Sequence, residues 1–211
     1  MLTTRLDGFF DKARPENGAT CTLAHGDLRG DNLFFCDTNP AYPQGWLCID
    51  YQLMFRGPVP SDLAHVMNSG TVLPEVYAPD SHAKILRAFY DRFMTRTQRY
   101  PDYSFRQFVD EYTMMSTVQH ISYIAYGGPI AQAGAFNNDL GMRVELGGKG
   151  ATEADLPPEQ RRQRMWWAKA LANFAQTYAT FAVVDRLRAL PEDHAGLGPW
   201  VELPDHLLSA T

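Results

Sequence analysis

Two short apolar runs with polar residues at their ends constrain the fold of this chain more than any other feature of its sequence. Residues 33–36 and residues 46–49 are separated by a loop with two prolines, and Asp50 follows the second run directly. Short apolar runs bounded by turn-forming residues are typical of β-strands. We therefore predict a hairpin whose open end carries the polar segment 25–31 on one side and Asp50 on the other.

Beyond residue 60, apolar residues recur at helical spacing. Capping residues are expected to begin three helices, at Ser61, at Asp80 or Ser81, and at Ser104. A fourth helix is predicted to start after Pro157-Pro158, whereas the glycine-rich residues 127–150 are predicted to be irregular. The expected fold class is therefore α+β and mostly helical, with a hairpin at about residues 19–57 and a helical subdomain at about residues 58–211, in one domain of residues 1–211.

The composition excludes some partners and locations. A net charge of −5 over 211 residues argues against nucleic acid, whose phosphates require a clustered positive surface. No run approaches the roughly 18–20 apolar residues that span a bilayer, and no signal peptide is evident. Three cysteines without metal-like spacing are expected to be free thiols, which suits a reducing cytoplasm.

Four polar residues are spaced so that a hairpin would gather them. Asn32 follows Asp27 by five residues, Asp50 follows Asn32 by eighteen, and Asp62 follows twelve residues later. A carboxylate can accept the proton of a hydroxyl group, and Mg²⁺ prefers carboxylate and amide oxygens as ligands. We therefore expect Asp27, Asn32 and Asp50 to share one pocket.

These motifs resemble those of the aminoglycoside phosphotransferase/choline kinase-like superfamily, and in particular its choline/ecdysteroid-kinase-like branch. The resemblance covers about residues 21–66 and lies in His25-Gly26-Asp27 through Asn32, in Ile49-Asp50-Tyr51-Gln52, in Gly57, and in Asp62-Leu63-Ala64. It implies the C-terminal lobe of a protein-kinase-like fold. The implied function is an ATP- and Mg²⁺-dependent transfer of the γ-phosphate to a hydroxyl of a small metabolite or antibiotic.

The resemblance also implies roles for single residues. Asp27 would be the catalytic base, and Asn32 and Asp50 would bind Mg²⁺ and, through it, the nucleotide. Asp62 would be a buried acid that bonds the backbone of the 25–32 loop. Arg29 would contact the transferred phosphate, although a purely structural role is equally open from the sequence.

Other polar residues have plainer interpretations. His25 is expected to be a hydrogen-bonded support of the loop, and Asp31 a solvated residue. The remaining histidines without ligand spacing are expected to be structural or exposed; they are His65, His120, His194 and His206. Asp110, Glu111 and residues 137–139 either form the wall of a substrate pocket or are solvated.

The chain departs from the resemblance at its start. Only 24 residues precede His25, with Lys12 as their sole lysine, so the β-rich nucleotide lobe of such kinases is expected to be missing. A separate N-terminal lobe or partner chain is expected to supply it. Two alternatives remain open from the sequence: a binding module without catalysis, and a metal-dependent phosphohydrolase.

Overall fold

The computed structural model describes residues 20–130, except 37, 70, 71 and 73, and residues 153–185, except 184. Within these ranges the chain has an α+β fold that is mostly helical, which confirms the predicted fold class. The strands lie in the first part of the described chain, and the long helices follow them. The helix expected near residues 1–14 lies outside the described residues.

The four short strands of the described residues form two separate antiparallel sheets. Strand β2 (Leu33–Phe35) pairs with β3 (Trp46–Cys48), which is the predicted hairpin. Strand β1 (Cys21–Ala24) pairs with β4 (Phe55–Pro58), with Cys21 opposite Pro58. This second pairing was not predicted, because Gly57-Pro58 has the composition of a turn. A proline is tolerated here because it lies at the end of an edge strand.

Four long helical segments carry most of the described chain. They are α1 (Ser61–Asn68), α2 (Pro79–Arg96), α3 (Phe105–Ile130) and α4 (Pro158–Thr180). Short 3₁₀ turns lie at Gly30–Asn32, Tyr51–Leu53, Pro74–Tyr77 and Glu153–Asp155.

The predicted cap forms at Ser104 but not at the other two helix starts. The N-cap residues of α1 and α2 are Pro60 and Ala78, neither of which makes a side-chain capping hydrogen bond, so the predictions of caps at Ser61 and at Asp80 or Ser81 are wrong. The backbone N–H of Ser104 donates to Gln107 Oε1 at 3.0 Å, and the N–H of Gln107 donates to Ser104 Oγ at 3.2 Å, which is the predicted capping box. Helix α2 begins at Pro79, slightly earlier than predicted, because the fixed φ of proline suits the first helical turn.

The prediction of an irregular segment from residue 127 is wrong for residues 127–130, which continue α3. A glycine inside a helix costs only about 1 kcal/mol, so a long helix can extend through two of them. The rest of that segment, residues 131–150, lies outside the described residues.

The core lies among the helices. Phe108, Tyr112 and Leu86 are fully buried there, and Phe174 of α4 and Phe181 just after it are almost as inaccessible. Burying a side chain of this size contributes roughly 1.5–3 kcal/mol relative to leaving it in water. Helix α1 packs against α3 and α4 and is therefore fixed to this core. It is also the helix that reaches the polar loop at the end of β1.

For the described residues, no helix combines the length and the apolar character that a membrane crossing would require.

Candidate functional site

The loop that follows β1 is held by a carboxylate from α1. Asp62, half-buried in the first turn of that helix, accepts hydrogen bonds from the backbone N–H of His25 at 2.7 Å and of Gly26 at 3.0 Å. Both oxygens of Asp62 are therefore used. An acid in the first turn is also favoured by the helix dipole. The position of the loop relative to the helical core thus depends on this side chain.

His25 links the same loop to the end of β3. Its buried ring accepts the backbone N–H of Asp27 on Nδ1 at 3.2 Å, and its Nε2 lies 2.7 Å from the carbonyl oxygen of Ile49. Because Nδ1 accepts a hydrogen bond, the ring hydrogen must be on Nε2, which then donates to Ile49. The ring also contacts Tyr51, with centroids 4.7 Å apart. His25 therefore holds the loop through both nitrogens of its ring.

Gly26 allows the close approach of the next turn. Its φ is +85°, and a Cβ atom at this position would lie 2.1 Å from the carbonyl oxygen of Leu53. Any other residue would be strained by its backbone conformation and would also collide with that oxygen. The turn at Tyr51–Leu53 can therefore lie directly against the loop.

Asp27 lies at the centre of the loop, with donors on both oxygens. His65 Nε2 is 3.2 Å and Arg29 Nε 3.3 Å from Oδ1, whereas Asn32 Nδ2 donates to Oδ2 at 3.3 Å. Asn32 Nδ2 also donates to the backbone carbonyl of Asp27 at 2.9 Å. The Asp27 side chain keeps 18% of its surface exposed, so the carboxylate can be reached from outside.

Asn32 and Asp50 are brought together by the β2–β3 hairpin. The backbone N–H of Ile49 donates to the carbonyl of Asn32 at 3.0 Å, so Asp50 follows one residue after this contact. Asp50 is exposed, and its backbone adopts the left-handed conformation, with a φ of 66°. Within the described part of the chain, neither the Asp50 carboxylate nor Asn32 Oδ1 has a hydrogen-bond partner. These are the two oxygen donors that the sequence proposes as metal ligands.

The donor set fits a hard cation only in part. Mg²⁺ is commonly held by one or two protein carboxylates together with water and phosphate oxygens. Among the described residues, no group of three or more His, Cys, Asp or Glu side chains could hold a metal ion. Asn32 and Asp50 would therefore require further oxygens from a ligand or from water.

Arg29 supplies positive charge beside these acids. Its Nε lies 3.3 Å from Asp27 Oδ1 and 3.4 Å from Oδ1 of the exposed Asp31, at angles that suit ion pairing better than hydrogen bonding. The side chain of Arg29 has no other partner within the described residues, and its backbone carbonyl accepts the N–H of Asn32 at 3.0 Å. The far side of the guanidinium group is thus available to an anionic ligand.

His65 was expected to be structural or exposed, and the structure shows the first of these, at a place in this site that was not predicted. The residue is buried in α1 beside Asp27. Burial lowers the pKa of His65, although the nearby Asp27 and Asp62 charges act in the opposite direction. A signal was present in the sequence: His65 follows Asp62 by three residues, so both lie on one face of a helix.

The other predicted residues lie elsewhere. Glu111 is partly buried and is paired with Tyr103, whose hydroxyl donates to it, and burial raises the Glu111 pKa to about 8. Asp110 is buried, so neither acid is a fully solvated position. His120 is structural: its ring stacks on Phe174 with centroids 4.6 Å apart. Residues 137–139, His194 and His206 lie outside the described residues.

A family model described as "Uncharacterized oxidoreductase dhs-27" (DUF1679) matches residues 11–146, which is more than half of the chain. The chain belongs to this family. No curated protein and no solved structure matches it.

This family corrects the functional prediction made from the motifs. Its description names an oxidoreductase, so the predicted membership in the aminoglycoside phosphotransferase/choline kinase-like superfamily, and the predicted kinase activity, are wrong. The physical reason is that the spacing of polar residues along the chain specifies which side chains meet and not which reaction they catalyse. It predicts that Asp27 and Asn32 approach each other, but a carboxylate beside an amide serves many reactions, and such proximity does not select one.

Proposed function

We propose that the 25–32 loop and Asp50 form a ligand site that binds Mg²⁺ together with ATP and holds a hydroxyl group of a small molecule against Asp27. The observation that carries the proposal is the hydrogen bond from the Ile49 N–H to the Asn32 carbonyl, at 3.0 Å. It brings two uncommitted oxygen donors, on Asn32 and Asp50, to the edge of the loop that carries Asp27.

Asn32 and Asp50 would hold the cation in this proposal, and phosphate oxygens of the nucleotide would complete its coordination. Mg²⁺ would neutralise the phosphate charge and orient the nucleotide. Arg29 would add a second positive charge through the free side of its guanidinium group, whose planar fork can donate two hydrogen bonds to phosphate oxygens. His25 and Asp62 would support the loop without contacting the ligand.

Asp27 would act on the hydroxyl group of the bound molecule. A partly exposed carboxylate within hydrogen-bond reach of a hydroxyl can accept its proton, which is general-base chemistry. The family description favours a second candidate, oxidation of an alcohol. In that reaction Asp27 would accept the hydroxyl proton, while the carbon-bound hydride would pass to an oxidant such as a nicotinamide dinucleotide.

Titration calorimetry with ATP and Mg²⁺ tests the proposal. We expect binding by the wild-type chain, loss of binding when the metal is chelated, and an affinity at least about tenfold weaker in Asp50→Gly, because a metal ligand is removed. Glycine is the better replacement because Asp50 has a positive φ that alanine adopts only with strain. Asp91→Ala is the control, since it removes an exposed acid of α2 that does not contact the loop.

Two results would overturn the proposal: no heat of binding with the wild-type chain, or an affinity in Asp50→Gly equal to that of the wild type. Thermal melting of each variant shows that a loss of binding is not a loss of fold. Titration with NAD⁺ and NADP⁺ in place of ATP, without added metal, tests the second candidate. Binding of a dinucleotide and not of Mg²⁺-ATP would favour alcohol oxidation.

A reducing compartment such as the cytoplasm suits this site. Cys21, Cys36 and Cys48 are all free thiols, and Cys48 lies two residues before Asp50.

A partner chain stays a prediction. The exposed apolar side chains of the two sheets, such as Phe35 and Trp46, are where it would lie.

A further inference from the structure

We infer that His65 is a positioning residue for Asp27: it donates a hydrogen bond from Nε2 to Oδ1, and this leaves Oδ2 as the oxygen that meets the hydroxyl group of the ligand. The inference rests on the proposed function for the identity of that ligand. The contact between His65 and Asp27 itself is a feature of the fold, with the two atoms 3.2 Å apart.

The two oxygens of Asp27 are unequally occupied. Oδ1 faces both His65 and Arg29, whereas Oδ2 faces only the side-chain amide of Asn32, within the described residues. An ionised carboxylate oxygen has about two lone-pair sites. Oδ1 lies against two neighbouring groups, one of them charged, and Oδ2 against one, so Oδ2 is the more open of the two oxygens. His65 and Arg29 together decide which oxygen is left open.

Helix α1 makes this arrangement rigid. Asp62 binds the backbone of the loop at His25 and Gly26, and His65, one helical turn later, reaches the side chain of Asp27. The same helix is packed into the core through Leu63 and Met67. A side chain on a packed helix orients its partner better than one on a loop, because its own rotamer is fixed.

His65 and Arg29 differ in charge. The Arg29 guanidinium is permanently charged, whereas burial lowers the pKa of His65. The buried imidazole can therefore orient Asp27 without adding a second permanent charge beside it.

The proposed contact defines the position of one hydrogen. Because an ionised carboxylate only accepts, a hydrogen bond to Oδ1 requires the ring hydrogen of His65 on Nε2. Gln119 Nε2 lies 3.4 Å from the same nitrogen, so a hydrogen there requires the Gln119 amide in the opposite orientation, with its oxygen toward the ring. Nuclear magnetic resonance of a ¹⁵N-labelled chain reports this hydrogen directly, and no ligand is needed.

The test compares His65→Gln with His65→Leu. Glutamine can place an N–H near the position of Nε2, whereas leucine cannot donate. The readout is the side-chain NH₂ signal pair of Asn32, because those hydrogens lie against Oδ2 of Asp27. We expect this pair to shift in His65→Leu, where Asp27 rotates, and to keep its wild-type position in His65→Gln. His82→Gln, at a buried histidine bonded to Tyr112, is the control and should leave the Asn32 pair unchanged.

Two outcomes would overturn the inference: an Asn32 signal pair that is unchanged in His65→Leu, or one that shifts equally in the His82 control. If His65→Leu fails to fold, the ring signals of wild type and Asp27→Ala decide instead. We then expect a hydrogen on Nε2 of His65 whose signal changes in Asp27→Ala, and a ring without that hydrogen contradicts the inference. Failure of Mg²⁺-ATP binding would leave both readouts intact, so the two proposals fail separately.

Discussion

The two sheets and the four helices differ in how far their apolar side chains are exposed to solvent. Phe35 of β2 is 77% exposed and Trp46 of β3 is also exposed, whereas Phe108 and Tyr112 of α3 are 0% exposed. The helical region is therefore held by packing. The strand region, which carries the candidate site, is held mainly by hydrogen bonds from a few polar side chains.

This difference shows where the geometry of the site comes from. Isolated two-stranded sheets are marginally stable in water, and both sheets found in the described part of the chain have only two strands. Asp62 fastens the loop after β1 to the helical core, and His25 fastens it to the end of β3. The core thus stabilises the protein, while these two side chains shape the site.

The largest effect is expected from a truncation in the helical core. Phe108→Ala should lower the free energy of unfolding by about 3–5 kcal/mol, because it removes a fully buried ring and leaves a cavity. Urea denaturation followed by circular dichroism measures this change. A loss below about 1 kcal/mol, the size of an ordinary surface effect, would contradict the view that packing dominates this region.

Acidification should also weaken the helical region, through His82. Burial lowers its pKa from 6.5 to about 4, so the folded state keeps this ring neutral while the unfolded chain binds a proton. The unfolded state therefore holds more protons between these values. The His82 contribution is complete above pH 6.5 and is lost as the pH falls toward 4, by at most about 3 kcal/mol.

The check is the pH dependence of the unfolding free energy in wild type and in His82→Gln. In His82→Gln the free energy of unfolding should depend less strongly on pH between about 4 and 6.5, because the variant has no titrating ring at this position. Equal slopes in the two proteins would mean that His82 titrates normally in the folded state.

A smaller and more local effect is expected at Asp62. Asp62→Ala leaves the backbone N–H groups of His25 and Gly26 without their acceptor, which should cost about 1–3 kcal/mol. Hydrogen exchange should accelerate at these two amides and remain slow at Phe108. Asp91→Ala, at an exposed acid of α2, is the matched control. Uniform acceleration across the chain would show that the two regions are not held separately.

The smallest effect is expected on the exposed sheet face. Phe35→Ala should change the free energy of unfolding by less than about 0.5 kcal/mol, because the ring is already in water. Compared with Phe108→Ala, it replaces the same residue type in the other region. A large destabilisation would indicate that Phe35 is covered in solution, and analytical ultracentrifugation would then show whether a second copy covers it.

Sequence reasoning succeeded where the signals are local. The capping box at Ser104 and the apolar runs of the β2–β3 hairpin depend on residues close in the chain, and both elements were predicted. The pairing of β1 with β4 was missed because it joins segments more than thirty residues apart. His65 was missed for a related reason, since its partner Asp27 belongs to a different element.

The candidate site shows the same limit. The spacing of Asp27 and Asn32 was enough to expect that they meet, because both lie in one short loop. The reaction could not be obtained in this way, and the family contradicts the one that was predicted. A reaction depends on the ligand that fills the space beside the carboxylate, and the spacing of the protein residues does not define that ligand.

Two of the contacts that hold the loop are made by main-chain carbonyl oxygens, and this determines which mutations the site can tolerate. Ile49 contributes a carbonyl oxygen to His25, and Leu53 places its own against Gly26, while the side chains of both are 38% and 56% exposed. Replacing either side chain should leave the site intact. Inserting or deleting one residue between positions 49 and 53 would move both oxygens. Ile49 and Leu53 therefore contribute through the length of the segment, and substitutions of these two side chains should not disturb the loop that carries Asp27. Asp50 and Tyr51, which lie between them, act through their side chains.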